Sequence, residues 1–269
     1  MRKIATTVMT ALCLAGWAQE RSALLMVHFG TTYDSTRQQT IDAINAKARE
    51  AFPGLTVAEA YTSRIVRSRL AQRGIQKDLP TDALLRLRAE GCRTVVVQPS
   101  YVIDGIEMDR LRHDVEQVRP FFDSIRVSTP LLYSVEDTRR VAAILTGRHP
   151  ADARKREHVV FVGHGTEGPA TAIYSQLDYL LKAEGNANYH VATIEGYPTL
   201  QTAIGQMRAM KGRKVTLVPL LFVAGDHATN DIAVGWKQRL QEEGFSVSLA
   251  IEGLGQIPEI QDLYINKVK

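Results

Sequence analysis

The chain is poor in cysteine: Cys13 and Cys92 are the only thiols among 269 residues. Two thiols cannot build a disulfide framework or a thiolate metal cluster. If the first residues are removed, Cys92 stands alone and no internal disulfide can form. The chain also lacks low-complexity stretches and long single-sign charge blocks, which excludes an obvious disordered tail. Its early apolar run, Ile4 to Ala15, is too short to span a bilayer. No Gly-rich loop is followed by a suitable Lys, so a phosphate-cradling turn is poorly supported. No Ser elbow with a fitting His and Asp stands out. Charge is nearly balanced: beyond residue 18 there are 31 Lys+Arg against 29 Asp+Glu, a net of +2. That surplus is too small to argue for nucleic acid.

A targeting-like segment opens the chain. Arg2 and Lys3 precede the uncharged apolar run, and Gly16 and Ala18 put small residues where a signal peptidase reads. Residues 1–18 therefore read as a signal peptide and the protein as soluble and exported, in a periplasmic or extracellular setting. Leu12 before Cys13 is too large for the usual lipoprotein anchor.

The rest of the sequence repeats itself. Leu-Leu-Met-Val-His-Phe-Gly-Thr (24–31) is answered by Val-Val-Phe-Val-Gly-His-Gly-Thr (159–166), with His28 and His164 136 residues apart. Glu59 and Glu195 share that interval, and Pro99 and Gly105 answer to Pro219 and Gly225 at 120. At the second offset Glu107 falls on His227. Two similar half-chains facing each other would leave a cleft lined by matching strand ends.

Short β-branched runs at 23–28, 56–60, 93–98, 125–129, 158–163, 190–194, 214–220 and 246–250 read as strands. Helical spacing occupies 35–51, 106–119, 134–146, 170–184, 199–210, 230–243 and 258–268. Strands that are apolar throughout and alternate with helices indicate parallel sheets covered on both faces. The expected fold is α/β, with two similar doubly wound parallel-sheet domains at 19–147 and 148–269 and a cleft between them. The shorter second offset implies about sixteen extra residues between Tyr61 and Thr94. That region carries Arg64, Arg67, Arg69, Arg73, Lys77, Arg86 and Arg88, either a solvated helical face or a basic cover for an anionic ligand.

Ligands of parallel sheets bind beyond the carboxyl ends of the strands. His164, Glu195 and His227 each follow a strand of the second half, at one rim of one sheet. Two imidazoles and a carboxylate suit a divalent first-row metal, and cobalt, iron, nickel and zinc are all compatible. Gly163, Gly165, Gly196 and Gly225 flank these residues and let a flat ligand come close.

His-Gly-Thr (164–166), Glu-Gly-Tyr-Pro (195–198) and Pro-Leu-Leu-Phe-Val-Ala-Gly-Asp-His-Ala-Thr-Asn-Asp (219–231) resemble the anaerobic cobalt chelatases, class II tetrapyrrole chelatases of cobalamin synthesis. His-Phe-Gly-Thr-Thr (28–32) and Gln-Pro-Ser-Tyr-Val-Ile-Asp-Gly-Ile-Glu (98–107) extend the resemblance to about 22–269. It implies a bilobed fold with metal ligands at His164, Glu195 and His227, and insertion of Co2+ into sirohydrochlorin. Co2+ is then a substrate, with Fe2+, Ni2+ and Zn2+ as competitors, and no organic cofactor is expected. Arg64, Arg67 and Arg110 are expected to bind the substrate's carboxylates. Tyr61, Tyr101 and Tyr197 are candidates to pack on the macrocycle, and Glu107 and His28 to guide metal or protons from the opposite lobe. The signal-like segment keeps open an exported iron chelatase, or a protein that binds haem or removes its iron. No nucleic acid and no membrane span are expected; the oligomeric state stays open, a homo-oligomer included.

Overall fold

The computed structural model describes residues 21–225 and 227–269, the side chains of 227–231 excepted. Among these, the strands form two four-stranded parallel sheets with one topology, β2-β1-β3-β4 and β6-β5-β7-β8. The first comprises β1 (Arg21–His28), β2 (Thr56–Tyr61), β3 (Cys92–Pro99) and β4 (Ser124–Val127). The second comprises β5 (Glu157–Gly165), β6 (Tyr189–Glu195), β7 (Lys214–Pro219) and β8 (Ser246–Leu249).

The helices are α1 (Asp34–Arg37), α2 (Ala43–Ala51), α3 (Arg64–Gln72), α4 (Pro80–Ala89), α5 (Ile106–Val118) and α6 (Val135–Arg148), then α7 (Ala172–Ala183), α8 (Leu200–Ala209), α9 (Lys237–Glu242) and α10 (Pro258–Asn266). A π-helical turn, Gln38–Asp42, joins α1 to α2, and another π-helical segment runs His227–Trp236. Between β2 and β3 the first half has two helices, α3 and α4, where the second half has α8 alone between β6 and β7. α3 buries only Leu70, so its sequence shows no apolar stripe.

Both central strands are apolar throughout because both faces are covered. Ala23, Leu25 and Val27 pack into one cluster with α4 and α5 residues such as Leu84 and Leu111. Val160 and Val162 pack into another with Ala203, Ile204 and Met207 of α8. The alternate residues, Leu24 and Met26 from β1 and Val159 and Phe161 from β5, belong to a single cluster shared by the two lobes. Side-chain alternation along each strand thus sends one face to its own lobe's core and the other to a common core.

The chain crosses back at its end. Tyr264 of α10 is fully buried, and its hydroxyl is shared between the carbonyls of Tyr101 at 3.0 Å and Ser100 at 3.3 Å. Lys47 of α2 pairs with Asp262 at 2.6 Å. The Arg126 guanidinium donates to the carbonyls of Lys267 and Val268. α10 therefore follows the second sheet in sequence but docks on the first half. Tyr264→Phe removes the hydroxyl donor inside this joint and is expected to cost about 1–2 kcal/mol, read as a lower urea midpoint at unchanged slope.

Candidate metal site

The rim of the second sheet is shaped by close backbone approach. β5 and β6 run in register, with Gly163 opposite Thr193 and Gly165 opposite Glu195. A Cβ on Gly165 would lie 1.7 Å from the Glu195 carbonyl oxygen, and its φ of +82° is already left-handed. A Cβ on Gly163 would sit 2.3 Å from the Tyr174 ring. Only glycine lets His164 stand between these two contacts.

The Glu195 loop is tied down from both sides. Thr171 donates its hydroxyl to the Tyr197 carbonyl at 2.9 Å and accepts from the Tyr197 amide at 3.3 Å. The Thr193 hydroxyl and amide both reach the Pro198 carbonyl, at 2.9 and 2.7 Å. The result is a pair: His164 Nδ1 lies 4.0 Å from Glu195 Oε2, with side chains 41% and 57% exposed. The same nitrogen is 3.3 Å from the Gly165 carbonyl oxygen. The third expected ligand, His227, has its side chain outside the described residues. Among the described residues no three His, Cys, Asp or Glu side chains are grouped to hold a metal.

The matching positions of the first half are built differently. His28 is fully buried. Its Nε2 lies 3.0 Å from Asn45 Oδ1 and its Nδ1 lies 2.9 Å from Ser100 Oγ. Since an amide oxygen only accepts, Nε2 carries the proton and the serine hydroxyl donates to Nδ1. Asn45 in turn donates to Glu59 at 2.8 Å, and Glu59 pairs with Lys77. His28 also stacks on Phe222 of the other lobe, with centroids 6.0 Å apart. Both its nitrogens are used, so it is a structural residue and not a guide for metal or protons. Asn45 lies in no motif, and Ser100 and Phe222 lie in motifs that do not tell that they meet His28, because the contacts join separate elements.

Burial lowers the His28 pKa to about 4, with Glu59 opposing the shift. His190 is also held near 4 by burial, between Gln206 at 2.7 Å and His158 at 2.9 Å. Both stay neutral in the folded chain while the unfolded chain takes up protons below its ordinary value of 6.5. Stability is therefore complete above pH 6.5 and falls as pH drops toward 4, by on the order of 3 kcal/mol per residue. Urea unfolding at pH 7, 5.5 and 4.5 should show this decline; a flat profile would contradict neutral burial.

The other expected ligands divide. Tyr61 is fully buried and Tyr101 nearly so, which removes both from macrocycle stacking; Tyr197 remains 53% exposed. Arg67 donates to the Lys77 carbonyl at 2.7 Å and faces Asp82 at 4.0 Å, so it braces the α3–α4 connection. Arg73, Arg86 and Arg88 are likewise bonded to Asp34, Asp78 and the Phe121 carbonyl, which makes this region chiefly a self-paired face. Arg64 is exposed at the start of α3. Arg110 is exposed and pairs with Glu107 at 2.9 Å; Glu107 also lies 3.5 Å from the Thr62 hydroxyl.

Two wound parallel sheets joined by a common core, with a His–Glu pair at one carboxyl rim, define a chelatase-type protein. The same fold occurs in SirB from Bacillus subtilis solved with Fe3+, at a TM-score of 0.67 and 17% identity over 92% of this chain and 94% of that one. SirB in complex with cobalt gives 0.63 and 14% identity over 92% and 94%. In sequence, residues 22–269 match the family model described as Cobalt chelatase (CbiK). The sirohydrochlorin cobaltochelatase of Salmonella typhimurium is 34% identical over 91% of this chain and 94% of its own. The sirohydrochlorin cobaltochelatase CbiKC of Nitratidesulfovibrio vulgaris is 32% identical over 91% and 89%. The chain belongs to the cobalt chelatase (CbiK) family, and the resemblance read from its motifs holds.

Proposed function

We propose that this enzyme inserts Co2+ into sirohydrochlorin, with the metal held by His164, Glu195 and His227 before transfer. Full-length similarity to two sirohydrochlorin cobaltochelatases supports the reaction. The observation that carries the site is the His164–Glu195 pair at 4.0 Å, half-exposed at the strand ends.

Insertion removes two protons from pyrrole nitrogens and exchanges metal-bound water for ring nitrogens. An imidazole can bind a divalent ion and accept a proton, and a carboxylate can balance the ion's charge or take the second proton. The grip must be loose, because the metal leaves the protein for the ring. Nitrogen and oxygen donors satisfy that better than a closed thiolate set. Arg64 is exposed to carboxylates of the macrocycle, Arg110 can meet them by exchanging its Glu107 partner, and Tyr197, two residues after Glu195, is exposed. Arg2-Lys3 and the apolar run after them support export of the protein; mass spectrometry of the mature N-terminus checks that point.

Anaerobic incubation with sirohydrochlorin and Co2+, followed by absorbance, tests the reaction. A rate no faster than the uncatalysed one, together with tight haem binding, would instead indicate a carrier.

A further inference from the structure

The amino ends of the second sheet carry a concentrated positive face. The turn before β5 holds Arg154, Lys155 and Arg156, the turn before β7 holds Lys211 and Arg213, and Lys214 opens β7; all six are exposed. The amides of Arg213 and Lys214 both donate to the Arg156 carbonyl, at 3.1 and 3.2 Å, so the two turns form one surface. Asp152 and Glu157 share it. The Asp152 side chain accepts from the Arg154 amide, and Glu157 faces Lys214 at 3.5 Å. Nearby Arg208 is paired with Glu243. Arg154, Lys155, Arg156, Lys211 and Arg213 make no ion pair among the described residues. Six cations against two carboxylates leave a surplus equal to the whole chain's net charge of +4.

A second observation points the same way. Among the described residues the non-glycine residues at positive φ are Arg156 and Lys211, both at 58°. Left-handed backbone favours Gly or Asn, and a long β-carbon side chain there is strained. Both strained positions lie on this surface and both carry a cation. Structure alone would be served better by glycine, so the strain points to a role for the charge.

We propose that this face docks the protein on an anionic lipid bilayer. The cations stand on two adjoining turns and carry no exposed aromatic platform for bases among the described residues. Met210, 38% exposed, precedes Lys211 in the chain, and an exposed apolar side chain next to cations suits a headgroup boundary. Arg156 and His164 stand at opposite ends of β5, roughly 25 Å apart at the usual rise per residue. Docking would therefore leave the metal rim facing the solution.

The full chain is mixed with vesicles of phosphatidylcholine alone or with a third phosphatidylglycerol, sedimented, and compared with Arg156→Gly/Lys211→Gly. Glycine relieves the left-handed strain and offsets its own greater freedom in the unfolded chain, so the melting temperature should change little. Cobalt insertion should be unchanged. Binding to the anionic vesicles should drop about thirtyfold in the variant, at roughly fivefold per cation, and should weaken as salt is raised. An Arg154→Gln/Lys155→Gln variant should show a similar loss with the left-handed residues intact. Equal binding to both vesicle types, or equal binding by wild type and variants, would overturn the proposal. So would neglect of vesicles with capture of a duplex oligonucleotide.

Discussion

His164→Ala is expected to lower kcat/KM for cobalt insertion by about a thousandfold, the middle of the range for losing a group that handles a proton in the transition state. It should also weaken Co2+ binding in the absence of the macrocycle, since Glu195 loses its neighbour at 4.0 Å. The fold should not suffer. The side chain is 41% exposed, and surface changes of this kind stay within about 0.5 kcal/mol. The check is anaerobic absorbance for the rate, cobalt titration for affinity and thermal unfolding for stability. An unchanged rate in a folded variant would remove His164 from the site.

Gly165→Ala should have the larger structural effect. The added methyl would stand 1.7 Å from the Glu195 carbonyl oxygen, at a φ of +82°. Backbone must move, because the obstacle is a peptide and not the end of a flexible side chain. The cost should be about 3–5 kcal/mol, the upper tail for single substitutions, because strain and displacement combine. The same displacement separates His164 from Glu195, so cobalt affinity should fall with stability. Denaturant titration with and without Co2+ measures both. A variant as stable as wild type, and binding cobalt as well, would show that the rim is more pliant than its packing implies.

The repeat made much of this legible, and also misled at one point. Strand positions, the parallel sheet type and the nearness of His164 to Glu195 follow from apolar runs that end in matching polar residues; the order of the strands within each sheet does not. The same match suggests a role in guiding metal or protons for His28, the counterpart of His164. Sequence position is indeed equivalent, but surroundings are not: Asn45, Ser100 and Lys77 fill the space where a ligand would sit. Those partners come from α2, the end of β3 and the α3–α4 connection, elements that no local pattern links. Between the solvated face and the basic cover offered for the region of α3 and α4, the pairing of Arg67, Arg73, Arg86 and Arg88 with neighbouring carboxylates and carbonyls decides chiefly for the first, and sequence spacing does not show those partners. The docking of α10 was equally hidden. Periodicity gives a helix an apolar stripe but does not say which lobe will cover it.

That last helix has a practical consequence. Cutting the polypeptide at the 147–148 junction would put Tyr264 on one fragment and the Ser100 and Tyr101 carbonyls on the other. Neither piece would keep a sealed interior, since Leu24 and Met26 share their cluster with Val159 and Phe161. Co-expressed fragments should therefore be recovered as a complex or not at all.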